Sequence, residues 1–330
     1  MQVNEMTLIE KIRNNAKNNL KTIVLPEGEE VRIIKAAEFL NREKLVIPVL
    51  IGNMDVITKL AKDNSCNIDG IEIRDPLQSP DTQTFADEYY DLRKKKGATP
   101  EIAKDTLKNP LYYGAFMVRN NLAAGAVAGS INTTGDVLRA AIQVVGVAPG
   151  IKAVSSCFIM VMPDGKEYTF GDCAVIPNPD ADQLASIAMS SSITHKGLVG
   201  EEPYIAMLSF STKGSAQHED VDKVITATQK VKELKPELKI DGELQFDAAL
   251  IEKIGAKKAP GSPVAGKANV FIFPDLDSGN IGYKIAQRLG QAEAIGPIVQ
   301  GLKKPYNDLS RGCSVEDVIN VACICSVLSE

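Results

Sequence analysis

Short apolar runs alternate with amphipathic stretches along the first 145 residues of the chain. Residues 21–26 and 45–51 are apolar runs of strand length, and residues 27–40 between them repeat apolar side chains at helical spacing. A strand, a helix and a second strand in this order predict a βαβ unit in a parallel sheet. Further strands are predicted at residues 70–75 and 123–129.

The pattern is interrupted at residues 147–150, Val-Ala-Pro-Gly, where we expect a domain boundary. Beyond it, residues 153–161 and 168–176 predict two strands joined by a tight turn, which favours a β-hairpin. Alternation of strands and helices then resumes, with a strand at residues 269–273. The second half is therefore also predicted to be α/β.

A helix is predicted over residues 281–289, where it meets Gly290. Its spacing places Ile281, Ile285 and Leu289 on one side, which we expect to face the core. Lys284 and Arg288 share the opposite face because they are four residues apart.

Composition places the 330-residue chain among soluble globular proteins of about two domains, with 44% apolar and 24% charged residues. The net charge of −5, with acids and bases intermixed, argues against a broad nucleic-acid surface. No apolar run reaches the ~20 residues of a membrane span, and no secretion signal is evident.

Cysteine and histidine usage argues against a structural zinc site. The chain has six cysteines, no CxxC pair and two histidines. A structural zinc site is therefore not expected, and we interpret the cysteines as reduced thiols of a cytoplasmic protein.

The loop of residues 130–136 has the composition of an anion-binding turn, since it carries hydroxyl, amide and glycine groups between a strand and a helix. Its candidate ligand-binding side chains are those of Ser130, Asn132, Thr133 and Thr134. Thr133-x-x-Asp136 also matches a capping box, so a purely structural role stays open. Arg139 adds a cation one turn into the helix.

A second candidate loop lies at residues 308–317, where Ser310, Arg311 and Asp317 precede or begin a helix. A helix N-terminus and a guanidinium both favour phosphate. Ser314 and Asp317 equally match a capping box that needs no ligand. Residues 93–96, Arg-Lys-Lys-Lys, are a third basic feature, either a solvated helix end or a clamp for a polyanion.

Two nucleotide-binding motifs are excluded. Residues 261–267 match the start of a P-loop, but Ala268 replaces the magnesium-binding hydroxyl and the segment leads into a strand. The chain contains no G-x-G-x-x-G, so the usual fingerprint of a nicotinamide dehydrogenase is missing.

Taken together, the motifs resemble those of the phosphate acetyltransferase (phosphotransacetylase) family, in the family's order along nearly the whole chain. The matching blocks are Leu25-Pro-Glu-Gly28, Ile131-Asn-Thr-Thr-Gly-Asp-Val-Leu-Arg-Ala-Ala-Ile-Gln143, Asp172-Cys-Ala-Val175 with Pro177-Asn-Pro179, Pro274-Asp-Leu-Asp-Ser-Gly-Asn-Ile-Gly-Tyr-Lys-Ile-Ala-Gln-Arg288, Gln300-Gly-Leu-Lys-Lys-Pro305 and Asn307-Asp-Leu-Ser-Arg-Gly-Cys-Ser-Val-Glu-Asp317.

This resemblance implies two α/β/α domains with a cleft between them, of the isocitrate/isopropylmalate dehydrogenase-like kind. The first would comprise residues 1–148 plus 299–330, and the second residues 149–298. It implies a cytoplasmic homodimer that interconverts acetyl phosphate plus coenzyme A with acetyl-CoA plus inorganic phosphate. Coenzyme A would be a substrate, with no tightly bound cofactor, no metal, and no nucleic-acid or membrane partner.

The resemblance also implies roles for individual residues. Asp317 would accept the thiol proton, Ser310 would hydrogen-bond the thiol or acetyl group, and Arg311 would hold acetyl phosphate. Arg93 and Arg139 would contact the phosphates of coenzyme A. The remaining side chains expected to bind substrate are Arg288, Tyr283, Lys284, Ser130, Asn132, Thr133 and Thr134.

Two alternatives stay open at this point. A phosphate butyryltransferase, or another short-chain acyl phosphate transferase, would differ only in its acyl pocket, where one methylene is worth ~1–3 kcal/mol. A non-catalytic regulatory domain of the same fold is expected to have lost Ser310, Arg311 or Asp317, all of which are present.

Overall fold

The structure, a computed structural model, describes residues 6–329. These residues divide into two compact units. Unit 1 holds the described residues up to Gly146 together with those from Leu302 onward, and unit 2 is Val147–Gly301. Within the described part of the chain, no helix is long and apolar enough to cross a membrane.

The strands within residues 6–329 are β1 Thr22–Leu25, β2 Ile47–Ile51, β3 Glu72–Arg74, β4 Gly125–Ala128, β5 Ser155–Val161, β6 Glu167–Gly171, β7 Tyr204–Leu208, β8 Lys239–Leu244, β9 Val270–Ile272, β10 Glu293–Gln300 and β11 Tyr306–Asp308. The α-helices are α1 Leu8–Asn18, α2 Val31–Arg42, α3 Met54–Asp63, α4 Asp81–Arg93, α5 Pro100–Thr106, α6 Pro110–Arg119, α7 Thr134–Val144, α8 Ala181–Leu198, α9 Glu219–Leu234, α10 Phe246–Leu250, α11 Glu252–Lys258, α12 Leu276–Arg288 and α13 Val315–Val327.

Unit 1 is built on a parallel sheet with the strand order β11-β4-β1-β2-β3. β1 lies at its centre, with Val24 opposite Val49 on one side and Ala126 on the other. These side chains are buried because helices cover both faces of a parallel sheet, which explains the uninterrupted apolar runs. The predicted βαβ unit is confirmed.

Strand β11 brings the C-terminal part of the chain into this sheet. Asn307 pairs with Val127 and Asp308 with Ala128, so β11 runs parallel to β4. This pairing places the segment after Asp308 beside the segment after Ala128. Two loops that are far apart in sequence therefore leave the same edge of one sheet.

Unit 2 is built on a mixed sheet with the order β10-β5-β6-β9-β7-β8. β5 and β6 are antiparallel and joined by a short turn, which confirms the predicted hairpin. β10 pairs antiparallel with β5 at the edge of the sheet and was not predicted. Its mixed burial, with Glu293 exposed and Val299 buried, gave no clear apolar run.

The predicted core-facing side of α12 is wrong. Ile281, Ile285 and Leu289 are 56%, 53% and 81% exposed within the described chain. The helix instead approaches the rest of unit 2 through its glycine face, since a Cβ on Gly279 would lie 2.2 Å from the carbonyl oxygen of Asp172. Close backbone approach at Gly279 and the packing of Tyr283 and Ala286, rather than the predicted stripe, define this contact.

Replacing Gly279 by alanine should therefore destabilise unit 2 by roughly 1–3 kcal/mol, the usual range for overpacking. The expected gain in helix propensity, about 1 kcal/mol, is too small to offset the clash. Gly135→Ala on α7 is the matched control, because an added Cβ there would meet nothing nearer than Thr133 Oγ1 at 3.8 Å. Urea unfolding of both variants measures the difference, and equal stability of Gly279→Ala and wild type would contradict this packing.

Candidate active site

Three segments of unit 1 meet at the carboxyl edge of its parallel sheet, the edge where α/β proteins usually bind ligands. Glu27 follows β1, residues 129–132 follow β4, and Asp308 ends β11. Because β1, β4 and β11 are adjacent, these segments lie side by side.

The carboxylate of Glu27 occupies the loop after β4. Its Oε2 accepts hydrogen bonds from the backbone N–H of Gly129 at 2.9 Å and of Ser130 at 2.7 Å, and from Ser130 Oγ at 2.5 Å. Its Oε1 accepts from Ile131 N–H at 3.2 Å, Asn132 N–H at 2.9 Å and Asn132 Nδ2 at 2.8 Å. The loop is an anion cradle, as its composition indicated, but the anion it holds belongs to the protein.

Burial alone would raise the pKa of Glu27, yet the hydrogen bonds from Ser130, Asn132 and Ile131 outweigh it and hold that pKa below its usual value. Glu27 is only 4% exposed, so its charge is balanced by loop donors rather than by water. The predicted substrate-binding donors of Ser130 and Asn132 are consequently engaged with Glu27 in this structure.

Thr133 and Asp136 form the N-terminal cap of α7. Thr133 Oγ1 accepts the backbone N–H of Asp136 at 3.2 Å and donates to Asp136 Oδ2 at 2.7 Å. Asp136 Oδ1 in turn accepts from Arg139 Nη1 at 2.7 Å. Thr133 is thus the N-cap of α7, but the predicted capping box is only half formed, because no hydrogen bond from the Thr133 backbone N–H to Asp136 completes it within residues 6–329. The exposed guanidinium of Arg139 is held by Asp136 of the same cap.

Two cations, Arg93 at the end of α4 and Arg139 on α7, both influence the pKa of Tyr112. Burial and the adjacent Tyr89 raise the pKa of Tyr112, while the positive charges of Arg139 and Arg93 oppose that shift. The structure thus brings these two sequence-predicted cations to one region of unit 1. The Arg93 guanidinium has no hydrogen-bond partner among residues 6–329, so its donors can meet an external anion.

Arg32 connects the two loops and was missed by the sequence analysis. Its Nη1 donates to the carbonyl oxygens of Arg311 at 2.9 Å and Cys313 at 2.8 Å, and its Nη2 donates to that of Ser130 at 2.9 Å. Its Nε donates to Glu30 at 2.8 Å. One guanidinium therefore fixes the backbone on either side of the site, a role that only the fold reveals.

Ser310 and Arg311 are both exposed in the loop between β11 and α13. Ser310 Oγ accepts the backbone N–H of Gly312 at 3.2 Å, which leaves its own proton available. The Arg311 guanidinium has no protein partner within residues 6–329. An exposed, unpaired fork of donors next to a helix N-terminus suits a phosphate.

Asp317 forms the helix cap with one carboxylate oxygen and keeps the other oxygen available, so its structural and its proposed functional role are compatible. Its Oδ2 accepts from Ser314 N–H at 2.8 Å and Ser314 Oγ at 2.9 Å, while Ser314 Oγ accepts Asp317 N–H at 3.1 Å. The capping box is therefore formed. Oδ1 has no partner in the described chain and the residue is exposed, so one carboxylate oxygen remains free to accept a proton.

The other predicted binding residues lie on α12 of unit 2. Tyr283 stacks on Phe158 with ring centroids 4.2 Å apart. Lys284 Nζ donates to Asn280 Oδ1 at 2.7 Å, and Arg288 is exposed near the Tyr283 hydroxyl. No three His, Cys, Asp or Glu side chains of residues 6–329 are placed to hold a metal ion.

The fold and these loops are those of an acyl phosphate transferase. A family model described as "Phosphate acetyl/butaryl transferase" matches residues 7–326, and the chain belongs to this family. A phosphate acetyltransferase of Thermoanaerobacterium thermosaccharolyticum is 52% identical over 98% of this chain and 100% of its own length. That of Acetivibrio thermocellus is 50% identical over 98% and 99%.

Solved structures have the same fold as this chain. A phosphotransacetylase from Streptococcus pyogenes aligns with a TM-score of 0.94 and 43% identity over 98% of both chains. A 4-hydroxythreonine-4-phosphate dehydrogenase from Burkholderia phymatum, 13% identical, aligns with a TM-score of 0.52 over 94% of this chain and 97% of its own, and shares the fold alone. The predicted α/β fold of the dehydrogenase-like kind is confirmed.

Glu27→Gln should lower the free energy of unfolding by roughly 2–4 kcal/mol at pH 7, because an amide NH₂ would face backbone donors and the charge would be lost. Since the folded pKa of Glu27 is lowered, its stabilisation is present above the ordinary value of 4.5 and is lost as the pH falls through the folded pKa. The gap between wild type and variant should therefore narrow on acidification.

Urea unfolding at pH 7 and at pH 4 measures this gap. Glu43→Gln is the control, because the Glu43 side chain is 43% exposed and, among residues 6–329, its carboxylate forms an ion pair with the neighbouring Arg42 alone. A stability loss for Glu27→Gln no larger than that of the control would show that the loop does not depend on this carboxylate.

Proposed function

We propose that this enzyme reversibly transfers an acetyl group between acetyl phosphate and coenzyme A. The relatives named phosphate acetyltransferase support this activity across the full chain length. The observation within the chain that carries it is the loop from Ser310 to Asp317. Within the described part of the chain, this one loop presents a guanidinium without a partner, a hydroxyl with an available proton and an unpaired carboxylate oxygen.

The chemistry requires no covalent enzyme intermediate. The sulfur of coenzyme A attacks the carbonyl carbon of acetyl phosphate, and the bond from that carbon to the bridging phosphate oxygen breaks. The thiol proton passes to Asp317, and inorganic phosphate leaves with the bonding electron pair. Arg311 balances the phosphate charge, while Ser310 donates to the acetyl carbonyl oxygen as charge develops there.

Proton transfer to Asp317 has to bridge a large difference in acidity. A free carboxyl has a pKa of ~3.9 and a free thiol one of ~8.5, a gap of roughly 6 kcal/mol. The nearby Arg311 favours the thiolate, and proton transfer concerted with attack avoids the free anion. The carboxylate therefore acts as a base during attack rather than before it.

Coenzyme A binds through its phosphates to Arg93 and Arg139 in this proposal. Both cations act on Tyr112, and both guanidinium groups reach solvent, which supports one polyanion as their shared ligand. From unit 2, the proposal adds Tyr283, Lys284 and Arg288 as substrate-binding residues. The enzyme uses coenzyme A as a substrate and requires no tightly bound cofactor.

We also propose that the enzyme works in the cytoplasm as a homodimer. The six cysteines are free thiols, as expected for a reducing compartment. The exposed apolar stripe of Ile281, Ile285 and Leu289 on α12 supports a self-complementary contact, because such a stripe is unusual on a monomer.

The activity is tested with purified protein, coenzyme A and either acetyl or butyryl phosphate, by following thioester absorbance without added metal or nucleotide. We expect fast thioester formation with acetyl phosphate strongly preferred. A preference for butyryl phosphate would change the substrate but keep the mechanism. No thioester from either, in folded protein, would overturn the proposal.

Asp317→Asn should lower kcat by about 10²-fold or more, the usual effect of losing a general base, with KM values little changed. Ser314→Ala separates this from the capping role. It removes the hydroxyl of the cap and should lower stability by about 1 kcal/mol, while kcat falls much less. Steady-state kinetics and urea unfolding measure both variants; near-normal kcat in Asp317→Asn would exclude Asp317 as the base.

Ile285→Lys combined with Leu289→Lys should convert the dimer to a monomer, because two charges would be buried without partners in the proposed contact. Light scattering of eluted protein gives the mass. Leu77→Lys in unit 1 is the control, since Leu77 is 70% exposed. A monomeric wild-type protein, or a double variant that stays dimeric, would argue against this surface.

A further inference from the structure

Asp308 is a buried carboxylate that the proposed reaction does not use. It ends β11, is 5% exposed and directly precedes the loop of Ser310 and Arg311. Its Oδ2 accepts the hydroxyl proton of Thr134 at 2.6 Å. Its Oδ1 has no hydrogen-bond partner among residues 6–329 and lies against Gly129, where an added Cβ would approach it to 2.4 Å.

A half-satisfied buried carboxylate lowers the stability of a fold. Burial raises the pKa of Asp308 to about 6, with the Thr134 hydrogen bond opposing this shift and the charge of Glu27 adding to it. The Leu309 backbone N–H opposes the shift more weakly, since its own hydrogen bond goes to the carbonyl oxygen of Ala128 at 2.7 Å. A neutral side chain of the same shape would avoid that penalty. Groups perturbed in this way concentrate where a protein contacts its substrate.

Thr134 is the exposed partner of this pair, at the first residue of α7. A hydroxyl has one proton and two acceptor lone pairs. Because the Thr134 proton is directed inward to Asp308, the oxygen presents only acceptor capacity to a ligand. The Thr133 hydroxyl, in contrast, is engaged in the α7 cap, and that of Ser130 is engaged with Glu27.

The Thr134 oxygen, whose proton is donated to a carboxylate, can only accept. It therefore repels a phosphate and attracts a hydrogen-bond donor. The phosphates of coenzyme A therefore belong with the cations, one turn further along α7 at Arg139. The thiol belongs at the loop that follows Asp308 in the chain. Thr134 contacts Asp308, which is two residues before Ser310, and it starts the helix that carries Arg139, so it adjoins both places. The two amide groups of coenzyme A likewise lie between its phosphates and its thiol.

We infer that Thr134 and Asp308 form a hydroxyl–carboxylate pair that accepts an amide N–H of the pantetheine arm of coenzyme A. The inference rests on the proposed function and adds Asp308, as a positioning residue, to its site. Asp308 fixes the direction of the Thr134 hydroxyl, and Thr134 contacts the substrate. The pair thereby selects a donor at the middle of an extended substrate whose two ends are recognised elsewhere.

Calorimetry with two probes tests this assignment. Coenzyme A carries the arm, whereas adenosine 3′,5′-bisphosphate carries only a nucleotide and its phosphates. Thr134→Val should weaken coenzyme A binding about tenfold or more, the effect of an unpaired donor, and leave the bisphosphate affinity unchanged. Thr134→Ser should restore coenzyme A binding, and Arg139→Gln should weaken both probes.

Asp308→Asn provides a second, independent readout. An amide can turn either its oxygen or its NH₂ toward Thr134, so the direction of the hydroxyl is no longer fixed and coenzyme A affinity should fall about threefold or more, with the bisphosphate affinity unchanged. The folded pKa of Asp308 lies above the ordinary 3.8, so its ionised form at pH 8 destabilises the folded state. The variant should therefore melt at a higher temperature than wild type at pH 8.

The outcomes separate the inference from the function. If wild type binds coenzyme A and forms thioester, but Thr134→Val binds coenzyme A normally or loses both probes equally, the inference alone is overturned. A lower melting temperature for Asp308→Asn at pH 8 would overturn the role of the carboxylate. If wild type binds no coenzyme A, the proposed function fails and the inference fails with it.

Discussion

The geometry of unit 1 depends on the buried carboxylate of Glu27. Six hydrogen bonds from residues 129–132 end on its two oxygens, so the loop after β4 takes the shape of that carboxylate. This loop leads directly into Thr134 and α7, and its Ser130 carbonyl is one of the anchors of Arg32. The backbone that carries both loops of the site is therefore set before any substrate arrives, which is the condition for electrostatic catalysis.

Two buried carboxylates of unit 2, like Glu27 in unit 1, accept hydrogen bonds from loop donors. Asp172 accepts hydrogen bonds from the backbone N–H of Ser156, Ala174 and Ile176 at 3.2, 3.0 and 2.8 Å. Glu243, 2% exposed, accepts from Gly214 N–H at 2.7 Å and Ser211 Oγ at 3.0 Å. In each unit a carboxylate of the chain satisfies loop donors that would otherwise bind water or an external anion. In the proposed reaction, phosphate is therefore bound by side-chain cations such as Arg311.

Sequence patterns predicted the parts of the structure that depend on local spacing. The βαβ unit, the β5–β6 hairpin and both helix caps follow from residues close in sequence, and so does the position of Arg139 on α7. The partners of the buried carboxylates did not follow, because Glu27 and Asp308 meet loops about a hundred residues or more away. The apolar side of α12 was assigned to the core because periodicity cannot show that Gly279 makes the close contact. For the buried carboxylate Glu27, the sequence did offer one signal, a charged residue directly after a buried strand, as in Leu25-Pro-Glu27.

The central claim is that the Glu27 carboxylate occupies the loop of residues 129–132 and that phosphate binds elsewhere. A crystal structure of the protein with coenzyme A and inorganic phosphate tests this claim most directly. This account predicts phosphate on the Arg311 guanidinium, with the Glu27 carboxylate still bound by residues 129–132. Phosphate or a coenzyme A phosphate in that loop, with Glu27 displaced, would contradict it.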